Sequence, residues 1–348
     1  MQMAVRVLVV DDSTFAQQIL TGLLSKDPEL EIIGVAVDGE DALRQIAQFH
    51  PDVVTLDIEM PKMNGLDCLA KIMEKSPTPV IMVSYLTVNG AEHTIKALEL
   101  GAVDFVTKPS KDDADLEKVA KEIIQKVKLA ASIKVDKLQK VITDKKARSL
   151  TIKPPKSIEL ITIGSSTGGP RALRYLLGLF PENFPLGIVV AQHMPVGFTQ
   201  VFANHLNDVC DIEISEAKDG DPILPGKVLI APSGKQIVLE RASNEELIVK
   251  TSKEPVLIYK PSVNHFLKSV AAVCHEKVLS IILTGMGSDG AISMQELRNL
   301  GARTIAEAEE SCVVFGMPRA AIELDGVEFV ESLPNIYPRI IDILSKDE

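Results

Sequence analysis

Short apolar runs rich in Val, Ile and Leu alternate with amphipathic stretches along the first part of the chain. Residues 5–10, 32–37, 53–56, 80–83 and 105–106 read as strands, and the segments between them carry apolar residues at helical spacing. Strands separated by helices of roughly 10 to 15 residues need right-handed crossovers and build a parallel sheet. A doubly wound α/β domain of five βα units is therefore predicted, with its boundary placed at residues 1–125. Ligands of such sheets bind beyond the carboxyl ends of the strands, so chemistry is sought there first.

The alternation resumes after residue 157. Residues 160–163, 188–191 and 278–283 read as strands, while 172–179, 291–300 and a segment from about 337 read as helices. Gly, Pro and hairpin signals crowd residues 218–257. A second, larger doubly wound α/β domain is predicted over 157–348, with a linker at 126–156. From Lys111 to Lys156 there are 13 Lys and Arg against 7 Asp and Glu, whereas both flanks are acidic, which marks this stretch as a solvated tether.

Composition supports the division. A chain of 348 residues outgrows a single core, and 46% hydrophobic with only 4% aromatic and no Trp suits aliphatic strands under Ala/Leu helices. The net charge of -11 repels phosphate backbones and anionic lipid heads, so neither a nucleic-acid partner nor direct membrane insertion is expected. With no signal-like N-terminus and no apolar run of membrane length, a cytoplasmic location is expected. Cys68, Cys210, Cys274 and Cys312 are isolated in sequence and read as reduced thiols.

Asp11, Asp12 and Asp57 fall at the ends of the first and third strands, which neighbour each other in such a sheet. Carboxylates at that density repel unless a hard cation such as Mg²⁺ sits among them, with Asp12, Asp57 and the Glu59 carbonyl as candidate ligands. Ser84 ends the fourth strand and Lys108 the fifth, bringing a hydroxyl and a cation to the same rim. Each residue alone fits a helix cap or a turn. Together they form the set that phosphoryl transfer to a carboxylate needs, with Asp57 as acceptor.

At Val9-Val10-Asp11-Asp12-Ser13, Leu56-Asp57-Ile58-Glu59-Met60-Pro61-Lys62-Met63-Asn64-Gly65 and Asp104-Phe105-Val106-Thr107-Lys108-Pro109 the chain resembles the response-regulator receiver family. The resemblance implies phosphorylation of Asp57 by a histidine kinase and Mg²⁺ held by Asp11 and Asp12. It also implies that Lys108 pairs with the phosphate, that Ser84 turns inward to bind it, and that Phe105 is the aromatic switch.

In the second domain Gly164-Ser165-Ser166-Thr167-Gly168-Gly169-Pro170 joins a strand to a helix and reads as G-x-S-x-G, with Ser166 at the nucleophile position. The same turn could instead cradle a phosphate of a nucleotide on its backbone amides. Two further strand ends favour the nucleophile, because a serine needs a base and the base needs an orienting group. Among six histidines His193 alone directly follows a buried-looking strand, and Asp289 stands in the loop Thr284-Gly285-Met286-Gly287-Ser288-Asp289-Gly290 after another. Oxyanion donors would come from the Gly285–Gly287 loop or the amide after Ser166. The order Ser, His, Asp differs from that of the α/β-hydrolases.

These motifs, with Gln192-His193-Met194-Pro195-Val196-Gly197-Phe198-Thr199 and Val313-Val314-Phe315-Gly316-Met317-Pro318, resemble the chemotaxis protein-glutamate methylesterases over nearly the whole chain. The resemblance implies Ser166 as nucleophile, His193 as base and Asp289 as acid, a Met286 amide in the oxyanion site, and Thr167 and Met286 lining it. It implies hydrolysis of γ-glutamyl methyl esters on methyl-accepting chemotaxis receptors, release of methanol, deamidation of receptor glutamines, and no cofactor for the esterase step. Activation through phosphorylation of the receiver is implied as well. Ala231-Pro232-Ser233-Gly234-Lys235-Gln236 departs from the family, which more often has Ala-Pro-Gly-Gly followed by a His.

Overall fold

The computed structural model describes residues 4–85, 87–108, 116–133 and 157–346 and divides into two compact units, 1–141 and 142–348. In the first, β1 (Val5–Val10), β2 (Leu30–Ala36), β3 (Val53–Asp57), β4 (Val80–Ser84) and β5 (Asp104–Thr107) form a parallel sheet in the order β2-β1-β3-β4-β5. Helices α1 (Thr14–Leu24), α2 (Gly39–Phe49), α3 (Gly65–Lys75), α4 (Val88–Glu99) and α5 (Leu116–Ala131) connect and follow the strands. The caps match the sequence: Ser13, Asp38, Asn64 and Thr87 each accept an amide of the first turn of the helix they precede. The strand order reverses between β1 and β3, so Asp11 and Asp57 meet at one switch point.

The second unit centres on a seven-stranded parallel sheet of order β14-β13-β12-β6-β7-β9-β8. Its middle strands are β12 (Val278–Ile282), β6 (Leu160–Ser165) and β7 (Gly187–Gln192), every residue of which is buried. Outside them lie β8 (Glu213–Glu216), β9 (Lys227–Ile230), β13 (Arg303–Glu307) and β14 (Phe329–Glu331). The helices of this unit are α6 (Gly169–Leu177), α7 (Phe198–Val209), α8 (Val263–Cys274), α9 (Ala291–Asn299), α10 (Met317–Glu323) and α11 (Leu333–Ser345). The Gly- and Pro-rich region contains an antiparallel hairpin, β10 (Gln236–Arg241) with β11 (Leu247–Ser252), which packs through Ile237, Leu239 and Val249 against Phe266 and Val270 of α8.

Several boundaries differ from the sequence expectation. Helix α5 runs through residue 125 to Ala131, while 134–156, most of the predicted tether, lie outside the described residues. The last helix begins at Leu333 and not near 337, because Pro334 sits in the first turn, where its missing N–H needs no partner. Strand β13 buries Thr304 and Glu307 completely, and this polar content hid it from a hydrophobic reading. Cys68, Cys274 and Cys312 are buried and Cys210 is half-buried, all four as free thiols.

Candidate functional sites

The switch point of the first unit gathers the predicted acidic cluster. Asp11, Asp12 and Asp57 each bring a carboxylate oxygen within 4.8 Å of the others, Asp11 and Asp57 buried and Asp12 exposed. Lys108 Nζ donates to Asp57 Oδ2 at 2.8 Å and lies 2.8 Å from Asp11 Oδ2. Asp11 Oδ2 is buried and has the Lys108 ammonium as its ion-pair partner. Three carboxylates this close together, two of them buried and with a single ammonium among them, are a donor set that fits a hard cation. Glu59 lies exposed just beyond β3, Ser84 is buried with its hydroxyl 3.3 Å from the Gly90 carbonyl, and Phe105 is buried on β5.

Burial pushes the Asp57 carboxyl up to about 6, the hydrogen bond from Lys108 opposing and the nearby Asp11 charge adding to the rise. A carboxyl whose folded pKa exceeds its unfolded value holds its proton more tightly when folded. Its contribution to stability therefore falls as pH rises from about 4 to about 6 and stays lost above that. Thermal melts of the metal-free protein should show the receiver transition losing stability across this window, and Asp57→Asn should flatten that loss. Identical pH profiles for the two proteins would refute the assignment.

In the second unit the three middle strands place three loops side by side. Ser165 of β6 pairs with Gln192 of β7, and Gly164 with Ile282 of β12, so the segments after these strands emerge on one rim. Ser166 follows β6, His193 follows β7, and Asp289 lies in the loop between β12 and α9. Gly168 (φ +80°) turns the chain sharply into α6, and a Cβ there would come within 2.6 Å of Val313. Ser166 stays half-exposed on this turn, while Ser165 and Thr167 are buried.

His193 Nε2 lies 2.9 Å from Asp289 Oδ2. The carboxylate can only accept, so the ring carries its proton on Nε2 and leaves Nδ1 as a lone-pair acceptor, buried and without a partner. Asp289 also accepts the Val263 amide on Oδ2 at 2.7 Å, and the Ser262 hydroxyl and Asn264 amide on Oδ1 at 3.0 Å each. Burial opposes its ionisation, but the bond to His193 and the amides at the start of α8 outweigh it and hold the carboxyl below the usual range.

Neighbouring groups fix the nucleophile turn. Gln192, fully buried, accepts the Ser165 hydroxyl at 2.6 Å and donates to the carbonyls of Ser166 at 3.0 Å and His193 at 2.9 Å. The Ser166 amide donates to the Thr284 carbonyl, and the Gly285 amide to that of Val314. Those two amides are occupied, whereas the Met286 amide has no acceptor among the described residues. A Cβ on Gly285 would lie 2.9 Å from Ser166 Cβ, so only glycine lets this loop approach the serine. Sequence reasoning missed Gln192, Ser262 and the start of α8. Each is an ordinary polar residue or cap until the fold brings it to the rim.

A family model described as CheB methylesterase matches residues 161–340, and one described as response regulator receiver domain matches residues 7–121. A protein-glutamate methylesterase/protein-glutamine glutaminase of Halalkalibacterium halodurans is 43% identical over 346 residues, covering 98% of this chain and 99% of its own. A relative of the same name from Archaeoglobus fulgidus is 42% identical over 343 residues, covering 97% and 98%. Among solved structures, the Thermotoga maritima CheB methylesterase catalytic domain superposes with a TM-score of 0.52 at 38% identity, covering 54% of this chain and 100% of that one.

Proposed function

Because this chain belongs to the CheB methylesterase family, we propose that it hydrolyses γ-glutamyl methyl esters of methyl-accepting chemotaxis receptors with Ser166, His193 and Asp289, under the control of Asp57. The observation that carries the hydrolase assignment is the imidazole, bonded to Asp289 through Nε2 with Nδ1 buried and unpaired. An acceptor in that state, on the same rim as a half-exposed serine hydroxyl, is a general base without another use.

Ser166 Oγ adds to the ester carbonyl as its proton passes to His193 Nδ1. The resulting imidazolium is held at Nε2 by the Asp289 carboxylate, and the oxyanion takes the Met286 N–H in a site lined by Thr167 and the Met286 side chain. Collapse breaks the bond to the methoxy oxygen, which receives the proton from Nδ1 and departs as methanol. Water then adds to the acyl-enzyme with His193 again as base, leaving a free glutamate and a restored Ser166. A receptor glutamine follows the same path with ammonia as leaving group. Every proton in this scheme is handled by the side chains named, so the esterase step calls on no cofactor.

In the receiver, a histidine kinase of the chemotaxis system supplies the phosphoryl group to Asp57. Asp11, Asp12, Asp57 and the Glu59 carbonyl would hold Mg²⁺, which when bound neutralises the charge that builds on the phosphoryl oxygens. Lys108 pairs with the transferred group, the Ser84 hydroxyl turns from Gly90 towards it, and Phe105 reports the change across β5. The absence, among the described residues, of any helix long and apolar enough to cross a membrane suits an enzyme that reaches receptor segments in the cytoplasm.

The deciding experiment is methanol release from methylated receptor membranes with and without a small-molecule phosphodonor. Release should rise several-fold on phosphodonor addition with Mg²⁺ present, and Asp57→Asn should keep the basal rate but lose the rise. A phosphodonor response that survives in Asp57→Asn would remove the receiver from the control of this enzyme.

A further inference from the structure

A single hydrogen bond to one ring nitrogen leaves an imidazole free to rock about that bond. His193 is held by Asp289 at Nε2, and nothing holds Nδ1. The face of its ring lies instead on Tyr259, with centroids 4.1 Å apart and planes inclined by 8°. The Tyr259 hydroxyl reaches to 3.7 Å from where a Cβ on Gly287 would stand, so the phenol spans from the imidazole to the loop that bears Met286 and Asp289.

Loop packing alone does not place Tyr259. Val256 and Ile258, just before it, are 71% and 88% exposed. The anchor is the side chain of Gln236, at the start of β10 and 1% exposed. Its Nε2 donates to the Tyr259 carbonyl at 2.9 Å and lies 3.4 Å from that of Pro255, while its Oε1 accepts the Ser262 amide at 2.9 Å. One buried carboxamide thus ties down the residue stacked on His193 and the residue whose hydroxyl donates to Asp289.

We infer that Tyr259 is a positioning residue for the esterase reaction, set in place by Gln236, which holds the imidazole with Nδ1 facing Ser166 and stabilises the imidazolium on its aromatic face. This rests on His193 acting as the base. The stack blocks rocking about the Nε2 bond, and misplacing a base by about 1 Å is enough to lower a rate about 100-fold. An aromatic face also attracts a cation more than a neutral ring, so the contact strengthens as the proton arrives from Ser166. Asp289 at Nε2 and Tyr259 on the face are ionisable side chains that meet the ring, and the adjoining Lys260 directs its ammonium to the Lys253 carbonyl at 2.9 Å.

The test is steady-state methanol release by the full-length protein on methylated receptor membranes over a range of receptor concentrations, with His193→Ala run in parallel. Tyr259→Leu should lower kcat by about 10- to 100-fold with KM little changed. Tyr259→Phe, which keeps the face, should stay within about twofold of the parent. Gln236→Met, which frees both Tyr259 and Ser262, should lower kcat at least as far as Tyr259→Leu, and the double variant should lose less than the product of the two single losses.

An unchanged kcat in Tyr259→Leu, or a Tyr259→Phe as impaired as Tyr259→Leu, would overturn the role given to the aromatic face. Additive losses in the double variant would overturn the role given to Gln236. If His193→Ala itself retains full activity, the base assignment fails first. If His193→Ala is inactive while Tyr259→Leu is unaffected, the inference alone fails.

Discussion

Replacing Ser166 with Ala should lower methanol release from methylated receptor membranes by about 10⁴- to 10⁶-fold, a loss of the size seen when the nucleophile of a serine triad is removed. The fold should not change, because what holds the nucleophile turn is backbone: the Ser166 amide on Thr284 and its carbonyl under Gly169 and Gln192. Alanine keeps all of these. The neighbouring Ser165 offers no substitute, since its hydroxyl is buried and given to Gln192 at 2.6 Å. Phosphorylation of Asp57 should proceed as in the parent, its carboxylate cluster lying in the other compact unit. Wild-type release from the Ser166→Ala protein would end the hydrolase assignment. A loss of phosphorylation alongside it would instead point to a folding defect.

Much of the fold was legible because both sheets are parallel and covered on both faces, so their strands are continuous apolar runs. The middle strands β6, β7 and β12 are buried throughout, and the sequence reading located each to within a residue or two. Strands β8 and β14 escaped it because edge strands of four and three residues carry too little pattern. The loop glycines were legible as turn signals. The specific need at Gly285, whose missing Cβ makes room for Ser166, is a tertiary contact that no local rule contains.

The two sites differ in the same way. The acidic cluster could be read from strand ends, because β1 and β3 are neighbours in any sheet of this winding and their carboxyl ends coincide. Ser166, His193 and Asp289 stand on three strands whose adjacency depends on the order β12-β6-β7, which only the fold supplies. Which ring nitrogen of His193 meets Asp289 was beyond sequence altogether. It follows from the position of Asp289 at the start of α8, where Ser262, Val263 and Asn264 orient the carboxylate. Gln236 shows the opposite case. The sequence places it at the end of a stretch that departs from the family pattern, and only the structure gives it a task.

Asp289→Asn should be nearly as damaging as loss of the nucleophile, by about 10⁴-fold in kcat, and should also lower stability by about 1–3 kcal/mol. Both follow from counting donors. Oδ2 faces His193 Nε2 and the Val263 amide, and Oδ1 faces the Ser262 hydroxyl and the Asn264 amide. A carboxylate accepts from all four groups, but a carboxamide has one oxygen and one NH₂. If the NH₂ takes the Oδ2 place, it opposes the Val263 N–H and can meet His193 only when Nε2 is unprotonated. The ring proton then moves to Nδ1, and the lone pair that would accept from Ser166 is gone. If the NH₂ takes the Oδ1 place, the tautomer survives, but the Asn264 N–H faces another donor at the buried start of α8. The imidazolium also loses its counter-charge in either arrangement. Raising pH should therefore not restore the rate, because deprotonation returns neither the lone pair to Nδ1 nor the counter-charge to the site. A variant that regains parental kcat at high pH, or one as stable as the parent, would show that Asp289 does not orient His193 in the way described.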